Sequence, residues 1–212
     1  MRLIVARHGE TDWNKECRYQ GRIDTPLNEN GIKQAFLLGE ALSDEGIDVI
    51  FSSPLRRALD TAKIISIKVS VPIFVRDELS EIHHGEWEGM LLSEVREKYA
   101  DAFERWRKDP ERMTIPSGEN LTMVLNRVKP LLDHIIEKYN RKTVLIVAHG
   151  GVNRVIFCYL LNLPLSYFWK FRQDNANLSI LESLDGNRGF CLKRFNDTCH
   201  LCSPNRALEG AL

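Results

Sequence analysis

The chain has 212 residues, which is enough for one large domain and short for two. Its 29 lysines and arginines balance its 29 aspartates and glutamates, so net charge gives no reason to expect binding to nucleic acid or to an anionic membrane. No apolar run approaches the ~20 residues that cross a bilayer, and no signal peptide is expected. Five scattered cysteines argue against a disulfide framework and favour a reducing compartment. We therefore expect a globular protein of the cytoplasm.

Segments typical of strands and helices alternate along the chain. Apolar runs predict strands at 3–6, 48–52, 71–75 and 143–148. Apolar residues at helical spacing predict helices at 30–44, 57–67, 121–135 and 152–161. A charged, aromatic stretch at about 91–116 predicts a helical insertion over the sheet. Two further strands, 178–181 and 190–195, are expected to be antiparallel at an edge.

This alternation predicts an α/β fold, a three-layer α/β/α sandwich that forms a single domain over residues 1–212. Its central sheet is expected to be mostly parallel, with an antiparallel edge strand. The run 143–148 is entirely β-branched or apolar, which is typical of a central strand.

Two of the predicted strands end in a histidine followed by glycine. The first ends in Arg7-His8-Gly9 and the later one in His149-Gly150-Gly151, while the strand at 48–52 leads to Arg56-Arg57. Because parallel strands present their carboxyl ends at one edge, these side chains are expected to meet there. Guanidinium groups match phosphate oxygens in a bidentate geometry, so the cluster predicts a phosphoryl-binding site.

Such a cluster also predicts a reaction. One imidazole can attack phosphorus in line while the other donates to an equatorial oxygen, and the glycines let backbone amides approach the anion. The leaving oxygen needs a proton, for which Glu81 is the best candidate. Spacing alone does not favour Glu81 over Glu78, Glu86 or Glu88.

These motifs resemble those of the histidine phosphatase superfamily, the phosphoglycerate mutase-like proteins, over essentially the whole domain. Segment 7–14 is similar to the nucleophile motif, 19–28 to the substrate-side loop, 52–58 to the second arginine motif, and 148–151 to the second histidine motif. Glu81, followed by 85–89, falls where the family keeps its proton donor. The resemblance implies that His8 carries the phosphoryl group, that Arg7 and Arg57 bind it, and that His149 is the oxyanion partner.

The loop Tyr19-Gln20-Gly21 resembles the phosphatase branch rather than the mutases, whose loop is of the Phe-Thr-Gly-Trp type. Segments 81–85, 174–177 and 196–201 are similar to metal-independent phosphoserine phosphatases and α-ribazole-phosphate phosphatases. The resemblance implies hydrolysis of phosphoserine or α-ribazole 5'-phosphate through phosphohistidine, without a metal or other cofactor. Two alternatives remain: phosphoglycerate mutase activity, and a catalytically silent phosphate-binding module, against which the presence of the whole catalytic set argues.

Further residues are expected to contact substrate, and these are Thr11, Asn14, Gln20, Gly21, His84, Gly150 and His200. We expect His84 and His200 to reach the non-phosphate part of the substrate, where a histidine can bind a carboxylate. No metal site is expected. The adjacent residues His83 and His84 would point in opposite directions on an extended chain, and the pair Cys199/Cys202 has no second cysteine pair at the spacing of a zinc site. The expected partner is a small phosphorylated metabolite, and the edge strand at 190–195 is a candidate for pairing in a homodimer.

Overall fold

The structure is a computed structural model and describes residues 1–184 and 189–202. The strands are β1 (Arg2–Arg7), β2 (Val49–Ser52), β3 (Ile73–Val75), β4 (Thr143–Ala148), β5 (Leu178–Ser183) and β6 (Phe190–Asp197). The helices are α1 (Asp12–Lys15), α2 (Glu29–Leu42), α3 (Arg56–Val69), α4 (Leu92–Lys98), α5 (Ala100–Lys108), α6 (Leu121–Lys138) and α7 (Gly150–Leu160). Short 3-10 turns lie at Asp77–Leu79, Gly85–Trp87, Leu165–Lys170 and Cys199–Leu201.

The strands form one sheet in the order β3-β2-β4-β1-β5-β6. The four strands from β3 to β1 are parallel, whereas β5 and β6 are antiparallel to their neighbours. The predicted mixed sheet is confirmed, and β4 is central as expected. Residues 185–188, which connect β5 to β6, and residues 203–212 lie outside the part of the predicted domain that the structure describes.

Helices cover both faces of the sheet because alternate strand residues face opposite layers. Leu3 and Val5 of β1 belong to one apolar core, which α6 and α7 complete. Ile4 and Ala6 of the same strand belong to the other core, which α2 and α3 complete. The three-layer sandwich is therefore confirmed.

Helices α4 and α5 lie within the segment for which an insertion was predicted. Trp106 of α5 is buried and packs edge-on against Trp87 and Phe168. This cluster joins the insertion to the core beside α7, close to the carboxyl edge of the sheet. In the described ranges, no helix combines the length and apolar composition needed to cross a membrane.

Hydrogen bonds between neighbouring strands bring the two histidine motifs to the same edge. Arg7, the last residue of β1, pairs with Ala148 of β4, and the His8 amide donates to the Ala148 carbonyl over 3.1 Å. The Ser53 amide, just beyond β2, donates to the Val147 carbonyl over 3.2 Å. The residues that follow β2, β4 and β1, three neighbouring strands of the sheet, therefore lie close together at its carboxyl edge.

Candidate active site

Two buried imidazoles lie where the ends of these three strands meet. The rings of His8 and His149 have centroids 5.1 Å apart and are tilted by 58°. Their exposed fractions are 2% and 0%, so neither ring is solvated as an isolated side chain would be. The placement that strand ends predicted for the two histidines is the one observed.

The hydrogen bond made by His8 leaves one ring nitrogen available for chemistry. Its Nδ1 lies 2.6 Å from the Gly9 carbonyl oxygen, which can only accept, so Nδ1 carries the proton and Nε2 keeps a lone pair. Burial lowers the pKa of His8 well below its usual 6.5, and the charges of Arg57 and Arg7 lower it further. His8 is therefore a neutral imidazole at neutral pH, which is the nucleophilic form.

The tautomer of His149 is set by a serine that follows β2. His149 Nε2 lies 2.7 Å from Ser53 Oγ, and Oγ already accepts a hydrogen bond from the Leu55 amide over 3.3 Å. We assign the Ser53 hydroxyl as the donor to Nε2, which places the ring proton of His149 on the otherwise unpartnered Nδ1. Burial, followed by the charge of Arg57, lowers the pKa of His149 well below 6.5. This imidazole is also neutral and presents one N–H donor.

Two arginines surround the histidines and are held by backbone carbonyls. Arg7 donates through Nη1 to Gln173 over 2.6 Å, while Arg57 donates to Ile23 and Gly21 over 2.9 and 2.7 Å. Burial lowers the pKa of each arginine to about 10, so both remain charged at neutral pH.

Four buried nitrogens at this site have no partner among the described residues. Three of them, Arg7 Nε, Arg57 Nε and His149 Nδ1, lie at or around the two imidazoles, and the fourth is His84 Nδ1. A buried donor left unpaired costs about 1–3 kcal/mol, and three at one place indicate a ligand that supplies acceptors. Because the surrounding charge is positive, an anion with several oxygens fits this site.

Glu81 borders the same cavity and is held by the first turn of α7. Its carboxylate accepts from the amides of Gly151 and Val152, each over 3.0 Å, and from that of Ile82 over 2.9 Å. The N-terminus of a helix offers unpaired N–H groups and a positive dipole end, so a carboxylate is stabilised there. The position of Glu81 therefore depends on residues 70 and 71 positions away in the chain as well as on the amide of its neighbour Ile82.

The other carboxylates considered from sequence lie elsewhere. Glu86 accepts from the hydroxyls of Tyr99 and Ser117 at the surface, and Glu88 accepts from the amides of Arg22 and His84. Glu78 borders a separate hollow beside Arg127. Among these four acidic residues, only Glu81 lines the cavity that His8 lines.

Two amide side chains are oriented so that their NH2 groups have no hydrogen-bond acceptor within the described part of the chain. Asn14 Oδ1 accepts from the Thr11 amide and from Asn175 Nδ2, each over 3.1 Å. Gln20 Oε1 accepts from the hydroxyls of Thr11 and Thr25 over 3.1 and 2.6 Å. Asn14 and Gln20 line the cavity, whereas Thr11 is buried behind them. Thr11 thus orients the amides instead of meeting the ligand itself.

The site is a cleft with two adjoining compartments. We call the one beside His8 the phosphoryl compartment; it has a volume of about 160 Å³, and Asn14, Gln20, Gly21, Arg57 and Glu81 also line it. The adjoining one, about 220 Å³, contains Arg154, which we use to name it the Arg154 compartment. The two share four lining residues, which are Arg7, Tyr19, Glu81 and His84.

Sequence reasoning missed several residues of the Arg154 compartment, namely Arg154 itself, Phe168, Trp169 and Gln173. One signal could have found the arginine: Arg154 is four residues after Gly150, so both share a face of α7. No comparable signal exists for Phe168 and Trp169, which follow α7 in the 3-10 turn Leu165–Lys170. Gly150 lines this compartment, as predicted for a substrate contact.

The two histidines expected at the non-phosphate end are placed differently. His84 is buried, lines both compartments and packs against Tyr19 with ring centroids 5.0 Å apart. His200 does not line the cleft, and its Nε2 donates to the Ala176 carbonyl over 3.0 Å. The Ala176 amide in turn donates to the His8 carbonyl, so His200 stabilises the backbone segment that is hydrogen-bonded to His8. The expectation that His200 contacts substrate is corrected accordingly.

Within residues 1–184 and 189–202, no group of three or more histidine, cysteine, aspartate or glutamate side chains is arranged to hold a metal ion. The pair Cys199 and Cys202 is exposed at the surface.

Comparisons with known proteins agree with this geometry. Residues 3–198 match the family model of the histidine phosphatase superfamily, branch 1. The chain is 43% identical over 201 residues to phosphoserine phosphatase 1 of Hydrogenobacter thermophilus, covering 95% of this chain and 94% of that one. It is 30% identical over 194 residues to the adenosylcobalamin/alpha-ribazole phosphatase of Escherichia coli, covering 92% and 94%.

A solved structure is similar over the same extent. Mycobacterial glucosyl-3-phosphoglycerate phosphatase in complex with VO3 superposes with a TM-score of 0.85 at 31% identity, covering 93% of this chain and 99% of that one. The motif order, the sheet topology and the family match all agree, and the chain belongs to the histidine phosphatase superfamily.

Proposed function

We propose that the protein hydrolyses phosphate monoesters of small metabolites through a phosphohistidine on His8, without a metal ion. The observation that carries this proposal is the neutral His8, with Nε2 free, beside three unpaired donors from Arg7, Arg57 and His149. An imidazole lone pair and a set of donors for equatorial oxygens are what in-line phosphoryl transfer requires.

In the first step, His8 Nε2 forms a bond to phosphorus as the bond to the ester oxygen breaks. Arg7, Arg57 and the Nδ1–H of His149 donate to the three equatorial oxygens. The leaving oxygen takes a proton from Glu81, which lines the phosphoryl compartment and the Arg154 compartment alike. The alcohol leaves on the side of the Arg154 compartment.

In the second step, water attacks the phosphohistidine. Glu81 removes a proton from that water, the bond between phosphorus and Nε2 breaks, and inorganic phosphate forms. His8 returns to its neutral form, and Glu81 is left protonated for the next substrate. Each turnover therefore restores both groups.

Phosphoserine is the substrate that we propose, with α-ribazole 5'-phosphate as the alternative. The 43% identity to a phosphoserine phosphatase over 95% of the chain supports this order. We propose that His84, which lines both compartments, contacts the alcohol part of the substrate. If kcat/KM for phosphoserine relative to α-ribazole phosphate is unchanged in His84→Ala, this assignment is wrong.

The test of the mechanism is to trap the intermediate. Purified protein mixed with ³²P-labelled substrate and quenched without acid should retain label on histidine, and His8→Ala should lose the label and at least about 10³-fold in kcat. The matched control is His134→Ala, because His134 is an exposed histidine of α6, outside the cleft. Retention of label in His8→Ala would refute the assignment of the nucleophile.

Two companion assays separate the alternatives. Turnover of p-nitrophenyl phosphate with EDTA present should equal turnover without it, whereas loss with EDTA would overturn the metal-free mechanism. No turnover at all would favour the silent binding module. Conversion of 3- to 2-phosphoglycerate on adding the bisphosphate would favour a mutase.

The homodimer and the cytoplasmic location stay predictions. Strand β6 lies at the edge of the sheet, but Lys193 and Arg194 on it are exposed, and charged edge residues disfavour strand pairing between copies. The mass in solution, measured by light scattering, decides between monomer and dimer.

A further inference from the structure

The Arg154 compartment contains the guanidinium of Arg154, which has no carboxylate within ion-pair distance among the described residues. Arg154 projects from α7 and donates through Nε to the Phe171 carbonyl over 2.8 Å. Its guanidinium lies over the rings of Phe168 and Trp169, 5.2 and 5.3 Å from their centroids. Within 1–184 and 189–202 it forms no ion pair with a carboxylate. The group is thus fixed in place while its two Nη nitrogens remain available.

The charge of Arg154 is not needed for the phosphoryl group. Arg7, Arg57 and His149 already supply donors there, and Arg154 is absent from the residues that line the phosphoryl compartment. The charge of Arg154 lowers the pKa of Arg7, whereas the charge of Glu81 raises the pKa of both arginines. Glu81 is neutral when it carries the proton that the proposed first step requires, and an anion that binds next to Arg154 then balances the second cation.

The position of Glu81 indicates where an anion that pairs with Arg154 would lie. As the group proposed to protonate the leaving oxygen, it borders both compartments. A substrate with its phosphoryl group at His8 and its ester oxygen at Glu81 therefore extends its alcohol part towards Arg154. The anion that pairs with Arg154 is then carried by the alcohol.

The chemistry of the guanidinium selects the kind of anion. A planar fork with two free Nη groups matches a carboxylate in a bidentate geometry. Aromatic stacking of a substrate base is disfavoured, because the guanidinium of Arg154 already lies over both Phe168 and Trp169. His84 cannot replace Arg154 as a cation, because burial lowers its pKa below the usual 6.5.

We propose that Arg154 binds a carboxylate on the alcohol part of the substrate, so that the cleft selects phosphorylated hydroxy acids and hydroxy amino acids. This proposal rests on the proposed phosphatase function and adds the class of substrate to it. Phosphoserine belongs to that class, whereas α-ribazole phosphate, which has no carboxylate, does not.

The test compares substrates that differ only in the carboxylate. Phosphoserine is paired with phosphoethanolamine, and phosphoglycolate with ethyl phosphate. The wild type should prefer the carboxylate member of each pair. Arg154→Gln should lower kcat/KM for the carboxylate members by about 10- to 100-fold, the range of a lost charge-assisted hydrogen bond, and change the others by less than about threefold.

Two further variants make the result specific. Arg107→Gln is the matched control, because Arg107 is an exposed arginine that also lies over Trp169, 5.6 Å from its ring centroid, yet does not line the cleft. It should leave both preferences unchanged. Arg154→Lys keeps a cation and should recover part of the preference, and it serves in place of Arg154→Gln if that variant does not fold.

Failure of this proposal differs from failure of the phosphatase function. Equal losses for both members of each pair in Arg154→Gln, or a wild type that prefers ethyl phosphate, phosphoethanolamine or α-ribazole phosphate, would overturn the carboxylate assignment while hydrolysis stands. A wild type that hydrolyses neither these substrates nor p-nitrophenyl phosphate would overturn both.

Discussion

At the scale of single residues, the site depends on hydrogen bonds that select one form of each side chain. Gly9 holds the proton of His8 on Nδ1, and Ser53 holds that of His149 on Nδ1 as well. Sequence motifs predicted both histidines but not Ser53, because a serine 96 residues from His149 meets it only in the folded sheet. The same tautomer serves two purposes: it frees Nε2 of His8 to attack and gives His149 a donor.

Ser53→Ala tests this orientation. The variant removes the proton that Nε2 of His149 accepts, so the ring can adopt the tautomer that has no proton on Nδ1. We expect kcat/KM for p-nitrophenyl phosphate to fall about 10-fold, in line with the loss of a hydrogen bond worth roughly 1 kcal/mol and of a correctly placed donor. Nitrogen NMR of the imidazoles should report the change of tautomer.

The matched control is Ser52→Ala, because Ser52 is equally buried and its hydroxyl donates to the Ser53 carbonyl over 3.0 Å, not to a histidine. It should lose stability to a similar extent while keeping its NMR pattern for His149. Unchanged activity and an unchanged tautomer in Ser53→Ala would rule out the positioning role.

At the scale of elements, the first turn of α7 joins the two ends of the chemistry. His149 precedes the helix, and the amides of Gly151 and Val152 hold Glu81. Periodicity predicted this helix and most others to within a few residues. Helix α1 was not predicted, because a capping box between Thr11 and Asn14 forms it and no apolar repeat marks it.

Gly151→Ala tests how closely Glu81 approaches α7. A Cβ at this position would lie 2.5 Å from Glu81 Oε1 and 2.7 Å from Ile82 Cδ1, so the carboxylate has to move. Alanine is a better helix former than glycine, so the helix itself does not suffer. We expect kcat to fall by about 100-fold or more, since misplacement by ~1 Å has effects of that size.

Gly39→Ala is the control, because Gly39 lies inside α2 and its added Cβ meets the flexible side chain of Lys68 at 3.3 Å. Circular dichroism should show both variants folded, with only Gly151→Ala impaired in turnover. Full activity in Gly151→Ala would mean that Glu81 need not lie where it does.

At the scale of the whole molecule, the fold keeps several histidines neutral by burying them. The pKa values of His8 and His149 lie well below 6.5 when folded, and those of His84 and His200 are also lowered. In the unfolded chain these rings take up protons as the pH falls through about 6.5. Below that pH the unfolded state binds more protons than the folded state, so stability is lost as the pH falls.

The free energy of unfolding should therefore decrease from pH 6.5 towards pH 5. The slope approaches about 1.4 kcal/mol per pH unit for each histidine that stays neutral in the fold. Denaturant titrations at several pH values measure it, and His149→Gln should give a slope shallower by up to that amount. A free energy of unfolding that is constant from pH 7 to pH 5 would contradict the neutral state of these rings.

The sequence by itself determined the fold class, the strands, most of the helices, and the histidine and arginine motifs, because these depend on local patterns and on the rule that parallel strands end at one edge. Tertiary structure decided which carboxylate joins the cleft, that His200 lies outside it and that Arg154 lies within it. Glu81 meets Gly151 and Arg7 meets Gln173 across 70 and 166 residues. Contacts over such separations exist only once the layers have packed.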